Sequence, residues 1–471
     1  MEDSRKVEAL KALADAKSRD KAGPAKRLAS VRVSPGGYLA AASILTFSSV
    51  LLLRAERDPW ALVILAVAWL VIPALAFTDR IVFDGRSLSR RGVVPLLLGI
   101  ISATSGRLNV EDFERVDTNA VRTLRRGGRV RYRYRTQIVG KGLSFVLSSG
   151  GKSYRQMIQA LFPSIHDQKL DVRTQELRDY VCEPSVLRDS VKQLHLASPV
   201  VLDNAVSDVR RRLKSRQPTA DTQAGDIERA RMLRTLANQL RISGRLRESR
   251  EAFRRALIVT PRDGGLIYEF ARLLRSQASA MGDARLLSRA RAALRLATSR
   301  APNDPALLQS IGESMVECGD ITLAERVFHR ALDLDSRNFR LRLELADLAL
   351  RNGKLAHVIH HYRDAAKDAP DKALANYARR EGEYYARLND DDDYLNTELR
   401  RLSWLQNAGR VRRMAARVTN TSILLALIGP YVDPTIGSIG WSLASSSLFA
   451  WISALLASRL LGDRRKPRPA E

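Results

Sequence analysis

Two uncharged runs near the N-terminus restrict the fold of this chain more than any other feature of its sequence. Residues Gly37 to Leu53 carry no charged side chain over about 17 positions, and Pro59 to Phe77 carry none over about 19. Each run has about the length of a helix that crosses a bilayer, and only five residues separate them. The pair predicts a transmembrane hairpin over residues 37–77, and the alternative is two buried core helices.

A second apolar region runs from Thr419 to Leu461 and is interrupted by Pro430 and Pro434, so its length allows one span or two. Clusters of Lys and Arg flank both apolar regions on either side. Because such clusters stay on the cytoplasmic side, all four flanks are expected there, which requires an even number of crossings at each end. We therefore predict a second hairpin.

This topology places every polar part of the chain on one side of the membrane. Residues 1–36 form a basic N-terminal tail, and residues 462–471 form a basic C-terminal tail. The expected location is multi-pass in the bacterial inner membrane, with the polar domains in the cytoplasm.

The charge balance indicates which partners to consider. The chain has 78 Lys and Arg against 51 Asp and Glu, a net charge of +27, which favours anionic lipid, nucleic acid or acidic protein. Nucleic acid is disfavoured because no aromatic interleaving or nucleic-acid motif accompanies the basic residues. Cys182 and Cys318 lack the spacing of a disulfide framework or a zinc site, so no metal or cofactor is expected. The sequence has no GxSxG, HExxH or P-loop motif, and we predict that the protein is not an enzyme.

Between residues 78 and 170 the pattern changes to short β-like runs punctuated by glycines. In the run from Val130 to Ile138, apolar, tyrosine and threonine side chains fall on one face of a strand and arginines fall on the other. The first face is expected to pack, and a helix from Tyr154 to Phe162 is expected to close the domain. The basic face would bind anionic lipid through Arg129, Arg131, Arg133 and Arg135. The alternative is a solvated sheet face.

Two apolar spans followed by DRIVFDGRSLSRRG, a small sheet and a closing helix resemble bacterial pleckstrin-homology-like domains attached to membrane hairpins. The resemblance covers about a fifth of the chain and implies a small β-rich domain over residues 78–170. The apolar run from Val93 to Ala103 has about 11 residues, too few to span a bilayer, and is assigned to a strand or a buried loop.

An internal repeat of about 34 residues follows towards the C-terminus. In LRTLANQLRISGRLRESREAFRRALIVTP, the residues Ala237, Gly244, Phe253, Ala256 and Pro261 stand where tetratricopeptide repeats (TPR) place small, turn, aromatic, small and proline residues. Three further copies follow, and an insertion of about seven residues is expected in the turn of the second. The segment resembles the TPR family, which implies four helical pairs stacked into a solenoid.

This resemblance divides the rest of the chain. The repeat array covers residues 226–372, a helical linker precedes it at 171–225, and capping helices follow at 373–418. The acidic run from Asp390 to Asp393 is expected to form a loop between helices. The expected fold is therefore a multi-domain membrane protein with an α-helical TPR solenoid, a small β-rich pleckstrin-homology-like domain and transmembrane helices.

In TPR proteins the concave groove is lined mainly by the first helix of each pair, and the matching positions imply a basic partner-binding site. Its residues would be Arg231, Arg234, Asn238, Arg241, Arg272 and Arg275. Arg234 and Asn238 match the first positions of the family's carboxylate clamp, whereas Glu269 stands where a basic or amide group is needed. We expect the guanidinium groups to repel one another when the groove is empty, and to bind an acidic segment or a terminal carboxylate of a protein partner. A solvated helix face is the alternative.

Two functions follow from these patterns. The first is a membrane-anchored scaffold or adaptor whose repeats bind a protein segment at the cytoplasmic face. The second is an anionic-lipid-directed membrane module that uses the basic sheet face.

Overall fold

The computed structural model describes residues 29–96, 106–124, 130–148, 151–196, 223–431 and 433–462. The chain forms two compact units, which we describe separately. The first comprises Met1–Asn352 with His361–Arg379, and the second comprises Gly353–His360 with Arg380–Glu471.

Both N-terminal apolar runs form helices, as the absence of charge predicts. They are α1 (Gly36–Arg54), α2 (Asp58–Ala66) and α3 (Ile72–Thr78), with a π-helical turn at Val67–Val71 joining α2 to α3. The widened turn ends two residues before Pro73, whose ring removes one backbone donor from the helix. The Ser49 hydroxyl donates a hydrogen bond of 2.7 Å to the Ala61 carbonyl, which fastens α1 to α2.

The described residues of the same unit include seven strands, which form two antiparallel sheets. The first sheet has the order β1 (Ala29–Arg32), β2 (Arg80–Phe83), β3 (Ser87–Arg91) and β4 (Arg107–Asn109). The second has the order β5 (Arg115–Leu124), β6 (Val130–Gly140) and β7 (Leu143–Ser148). Helix α4 (Lys152–Leu161) follows and buries Tyr154, Met157, Ile158 and Leu161.

Strand β1 corrects the predicted N-terminal tail. The tail was expected to extend to residue 36, yet Ala29 to Arg32 pair in antiparallel register with β2. Ala29 and Val31 are buried in the same core as Ile81 and Phe83, so the apolar alternation of a four-residue strand is what recruits this segment. The predicted run from Val93 to Ala103 begins with a helical turn at 93–96, and its remainder lies outside the described residues.

The alternation predicted for β6 is confirmed. Thr136 and Ile138 are fully buried, whereas Arg131, Arg133 and Arg135 are exposed on the opposite face. The buried face of β6 therefore packs on α4, and the arginine face of the sheet points away from the core.

Four consecutive helical pairs make up the array, as the repeat predicts. They are α7 (Gln223–Ile242) with α8 (Leu246–Val259), α9 (Gly264–Met281) with α10 (Ala284–Arg300), α11 (Pro305–Glu317) with α12 (Ile321–Leu334), and α13 (Phe339–Arg351) with α14 (Leu355–Asp368). The residues at the repeat's small positions, Ala237, Ala256, Ala271, Ala290, Ala297, Ala324, Ala331 and Ala346, are all buried. Small side chains there let the two helices of a pair approach closely.

The insertion in the second pair lengthens a helix rather than a turn. Helix α9 has 18 residues where α11 has 13, and it ends only at Gly282 in the left-handed conformation. The sequence SQASAM has good helix formers, so it continues α9 until glycine ends it.

The described part of the predicted linker that precedes the array contains α5 (Val172–Tyr180) and α6 (Pro184–Gln193). Residues 197–222 of the linker lie outside the described part of the chain.

Three further helices follow the array. Helix α15 spans Lys372–Asp390, α16 spans Asp392–Ile428 and α17 spans Pro434–Leu460. The loop expected at the acidic run is reduced to Asp391, because Asp390 ends α15 and Asp392 begins α16. Asp391 caps α16 by accepting a hydrogen bond of 2.9 Å from the Tyr394 amide.

The predicted boundary between capping helices and the second apolar region is absent. Helix α16 runs without a break through residue 419, so its last turns supply the first part of that region. Within the second unit α16 and α17 pack together, with the hydroxyls of Thr419 and Ser447 2.9 Å apart. Among the described residues, three segments are long and apolar enough to cross a membrane: Gly36–Leu53, Asp58–Thr78 and Thr435–Leu460.

Candidate interaction surface of the repeats

The predicted groove residues lie on the first helices of the first two pairs, α7 and α9. Five of them, Arg234, Asn238, Arg241, Arg272 and Arg275, form one surface, which we call the basic face. The sequence leaves this face open for a partner. In the structure, helix α5 from the predicted linker packs on α7 and contacts the basic face.

Glu176 of α5 is the centre of the contact. Its carboxylate accepts hydrogen bonds of 2.7 and 3.3 Å from Arg241 and of 2.7 and 2.9 Å from Arg272. Arg241 and Arg272 are 6% and 3% exposed. Burial alone would raise the pKa of Glu176, but the two guanidinium groups outweigh it and lower that pKa to about 2. The carboxylate is therefore ionised and held by both repeats at neutral pH.

A second carboxylate, that of Glu269, binds Arg234 and Asn238, the two residues that match a carboxylate clamp. It accepts hydrogen bonds of 2.7 and 3.0 Å from Arg234 and one of 2.8 Å from the buried amide of Asn238. The Tyr180 hydroxyl of α5 donates to the same carboxylate over 3.0 Å. The mismatch at Glu269 thus closes the clamp from within α9.

Glu317 of α11 forms the third junction. It pairs with Arg272 at 3.0 Å, with Arg275, and with Arg173 of α5 at 2.9 Å. Glu176 and Glu317 together connect α5 to three successive first helices of the repeats.

The expectation of mutually repelling guanidinium groups is therefore wrong. Every residue of the basic face has a carboxylate or amide partner inside the chain, because the acidic residues of α5, α9 and α11 reach it. Arg231 is the exception among the predicted site residues, since it is exposed and forms no ion pair within the described residues. Whether any of the six binds a partner stays a prediction.

A line of buried hydroxyls holds α5 on the second sheet. Thr174 lies 2.8 Å from Thr118, Thr118 lies 3.0 Å from Thr136, and Thr136 lies 2.8 Å from the Tyr154 hydroxyl. Asp171 caps α5 by accepting 2.9 Å from the Thr174 amide, and burial raises the pKa of Asp171 to about 6. Helix α5 thus belongs to the sheet domain and meets the repeats as part of it.

The sheet itself also contacts the repeats. The Tyr134 hydroxyl donates 2.7 Å to the Ile242 carbonyl at the end of α7. Gly244, in the turn to α8, lies so close to β6 that a Cβ there would be 2.0 Å from the Val130 carbonyl oxygen, and its φ of +85° already favours glycine. The turn glycine of the first repeat therefore has a second role at the sheet.

Acidic side chains lie on the first helices at the other end of the array. Arg340 of α13 pairs with Glu344 at 2.9 Å and with Glu313 of α11 at 3.5 Å. Burial is the main cause that raises the pKa of Glu344, to about 8, with Glu313 adding to it and Arg340 opposing. Buried Lys169 pairs with Asp371 at 2.7 Å, so this end of the array is also joined to the segment that follows the sheets.

The basic sheet face remains exposed. Arg133 and Arg135 form no ion pair within the described residues, and Arg129 lies outside them. Arg135 also lines a cleft of about 620 Å³ together with Arg90, Ile81 and Phe145. Neither the exposure of these arginines nor the cleft tests lipid binding, so the second predicted function stays a prediction.

Glu176 is the residue of this contact that the sequence analysis missed. It lies in a segment assigned to a linker, 65 and 96 positions before the arginines it binds. The excess of arginines on α7 and α9 was a signal for an acidic ligand, but not for one within the same chain.

Comparisons with known proteins leave the family open. No family model matches the chain, and no curated protein matches it. Among solved structures, the crystal structure of the APC/C hetero-tetramer Cut9-Hcn1 is similar over 62% of this chain, with 14% identity and a TM-score of 0.28. The aligned part covers 49% of that protein, so this chain spans about half its length. A TM-score this low defines no shared fold, and the TPR-like assignment rests on the helical pairs described above. The pleckstrin-homology-like resemblance stays a prediction.

Proposed function

We propose that this protein is a membrane-anchored TPR-type scaffold or adaptor without catalytic activity. The observation that carries the proposal is the joining, in one compact unit, of a helical repeat array to a sheet domain from which two bilayer-length apolar helices extend. Repeat arrays of this kind are binding surfaces because each pair adds area to a continuous face.

The apolar helices support membrane anchoring. Two segments are long enough to cross a bilayer, Gly36–Leu53 and Asp58–Thr78. Basic residues precede the first segment and follow the second. In this proposal the sheets and repeats lie on the cytoplasmic side of a bacterial inner membrane, where the basic flanks are retained.

The basic face supports an acidic partner. Glu176 demonstrates the chemistry that the face accepts, a carboxylate held by two arginines of neighbouring repeats. We propose that an acidic segment or chain-terminal carboxylate of a protein partner approaches at exposed Arg231 and competes with Glu176. Displacing Glu176 gives the partner Arg241 and Arg272. It gains Arg234 and Asn238 by also displacing Glu269, and Arg275 by also displacing Glu317.

Photo-crosslinking in intact cells tests this proposal. A crosslinking amino acid at Arg231 should capture a partner, and capture should rise when Glu176→Gln removes the competing charge. The same amino acid at Arg250, an exposed position of α8, is the matched control and should capture nothing specific. Equal capture from both positions, or capture that Glu176→Gln leaves unchanged, would exclude the basic face as the partner-binding site. Alkaline extraction of membranes tests the anchoring separately.

A second candidate function, direction to anionic lipid, is favoured by the outward orientation of Arg131, Arg133 and Arg135. Binding to anionic vesicles that declines as salt rises would support it, whereas equal binding to neutral vesicles would exclude it.

A further inference from the structure

Three arginines form a row across the first sheet at the base of the apolar hairpin. Arg32 of β1 lies directly opposite Arg80 of β2, which lies directly opposite Arg91 of β3. Residues paired in this way project from the same face with Cβ atoms about 5 Å apart. All three side chains are exposed.

Such a row is unfavourable unless something neutralises it, since like charges directly opposite one another destabilise a sheet. Within the part of the chain that the structure describes, none of the three forms an ion pair. The neighbouring carboxylate is already occupied, because Asp79 accepts hydrogen bonds from Arg90 at 2.9 and 3.1 Å and from Tyr38 at 2.5 Å. The described residues therefore supply no counter-charge to this row.

A polar cleft of about 390 Å³ adjoins the row. Arg32 and Arg80 line it together with the hydroxyl-bearing residues Ser30, Ser148 and Ser153. None of these three serine hydroxyls forms a hydrogen bond to another described residue. Ser153 lies in the first turn of α4, which has no acidic residue and no side-chain cap, so free backbone donors of that helix add to the positive potential.

The position of the row relates it to the two apolar helices. Arg32 comes four residues before α1 begins, and Arg80 comes two residues after α3 ends. The Arg32 guanidinium lies 5.3 Å from the centroid of the Phe77 ring in the last turn of α3. If α1 to α3 cross a bilayer, the row lies where lipid headgroups lie.

We infer that Arg32, Arg80 and Arg91, with the adjoining serine cleft, bind the phosphate group of an anionic phospholipid in the leaflet that the hairpin enters. The inference rests on the proposed membrane anchoring. Two opposed guanidinium groups can each donate to phosphate oxygens, the serine hydroxyls can donate to the remainder, and binding relieves the repulsion within the row. A phosphate carried by a soluble molecule has the same chemistry, so the test must separate the two sources.

The test uses the full-length protein in nanodiscs of phosphatidylcholine, with or without phosphatidylglycerol, and native mass spectrometry of the lipid that remains after delipidation. The wild type should retain phosphatidylglycerol over phosphatidylcholine by about tenfold or more. The variant Arg32→Gln/Arg80→Gln/Arg91→Gln should lose that enrichment. The control Arg250→Gln/Arg289→Gln/Arg330→Gln removes the same charge from exposed positions of α8, α10 and α12 and should keep it.

Melting separates a lost site from a lost fold. In phosphatidylcholine alone the row variant should melt close to the wild type, because the repulsion it loses offsets the loss of the Arg32–Phe77 contact. Phosphatidylglycerol should raise the melting temperature of the wild type only. Equal enrichment in the row variant overturns the inference. Displacement of the retained lipid by 10 mM inorganic phosphate also overturns the lipid assignment, in favour of a soluble phosphate. If the wild-type protein stays in membranes but shows no lipid preference, this inference alone is refuted. If alkaline pH extracts the protein from membranes, the anchoring is refuted.

Discussion

At the scale of single residues, the contact between α5 and the repeats depends on Glu176. Two arginines from different repeats hold its carboxylate at once, at 2.7 Å each. Removing one member of a buried ion pair leaves its partner desolvated and unneutralised, which costs about 3 to 5 kcal/mol. The Arg234→Glu/Arg272→Glu exchange would for the same reason place like charges together in this contact and break it.

Glu176→Gln should loosen α5 and α7 by about 3 kcal/mol, since it keeps the side chain's shape and removes its charge. Hydrogen exchange of the full chain should then be roughly a hundredfold faster in both helices. Glu228→Gln, at an exposed position of α7, should leave exchange unchanged. Unchanged exchange in Glu176→Gln would contradict the importance of this carboxylate.

The same carboxylate predicts how the contact responds to acid. Its pKa is lowered in the folded protein to about 2, so its contribution is complete above its ordinary pKa of about 4.5. The contribution is lost as pH falls from about 4.5 towards 2, since protonation removes the charge that both arginines neutralise. Exchange in α5 should therefore accelerate in that window for the wild type, and Glu176→Gln should flatten the response. Acid acceleration of equal size in the variant would assign it to another group.

At the scale of elements, each helical pair depends on a close approach at its small position. Gly312 of α11 faces Phe328 of α12, and a Cβ there would lie 2.4 Å from a ring carbon of Phe328. Phe328 is fully buried, so its ring has no free space to enter.

Gly312→Ala should therefore destabilise the third pair by about 1 to 3 kcal/mol, although alanine is the better helix former. Thermal melting followed by circular dichroism should show a lower midpoint than that of the wild type. Gly106→Ala, at a position with open space around it in the same unit, should melt like the wild type. A higher midpoint for Gly312→Ala would mean that Phe328 yields and the approach is not essential.

At the scale of the whole molecule, a test of the predicted topology requires cysteines at exposed positions. Cys318 is 3% exposed, and burial raises the pKa of its thiol, so its failure to react would not report which side of a membrane it occupies. Exposed positions lie in the turns between apolar helices and on the repeats. Glu56 lies between α1 and α2, and Tyr431, which is 91% exposed, lies between α16 and α17.

In a cysteine-free background, Glu56→Cys and Tyr431→Cys should react with an impermeant thiol reagent in intact cells. Arg250→Cys in the repeats should react only after permeabilisation. Protection of Tyr431→Cys alone would mean that the end of α16 does not cross with α17, and labelling of Arg250→Cys in intact cells would reverse the orientation.

The sequence by itself determined the features that have a local period. Absence of charge over about 17 to 19 residues determined the apolar helices, alternation determined the two faces of β6, and the 34-residue repeat determined four helical pairs. Each of these signals is set by residues within a turn, a strand or a repeat. A strand of four residues such as β1 is too short to carry such a signal, and it was missed.

Only the tertiary structure decided which charges meet. The pairing of Glu176 with Arg241 and Arg272 spans 65 and 96 positions, and the row of Arg32, Arg80 and Arg91 joins strands on either side of the apolar hairpin. Charged side chains have no preferred spacing for partners on other elements, since Coulomb attraction depends on distance in space and leaves no period along the chain. The surface that the sequence predicted for a partner is therefore joined to the protein's own helix α5.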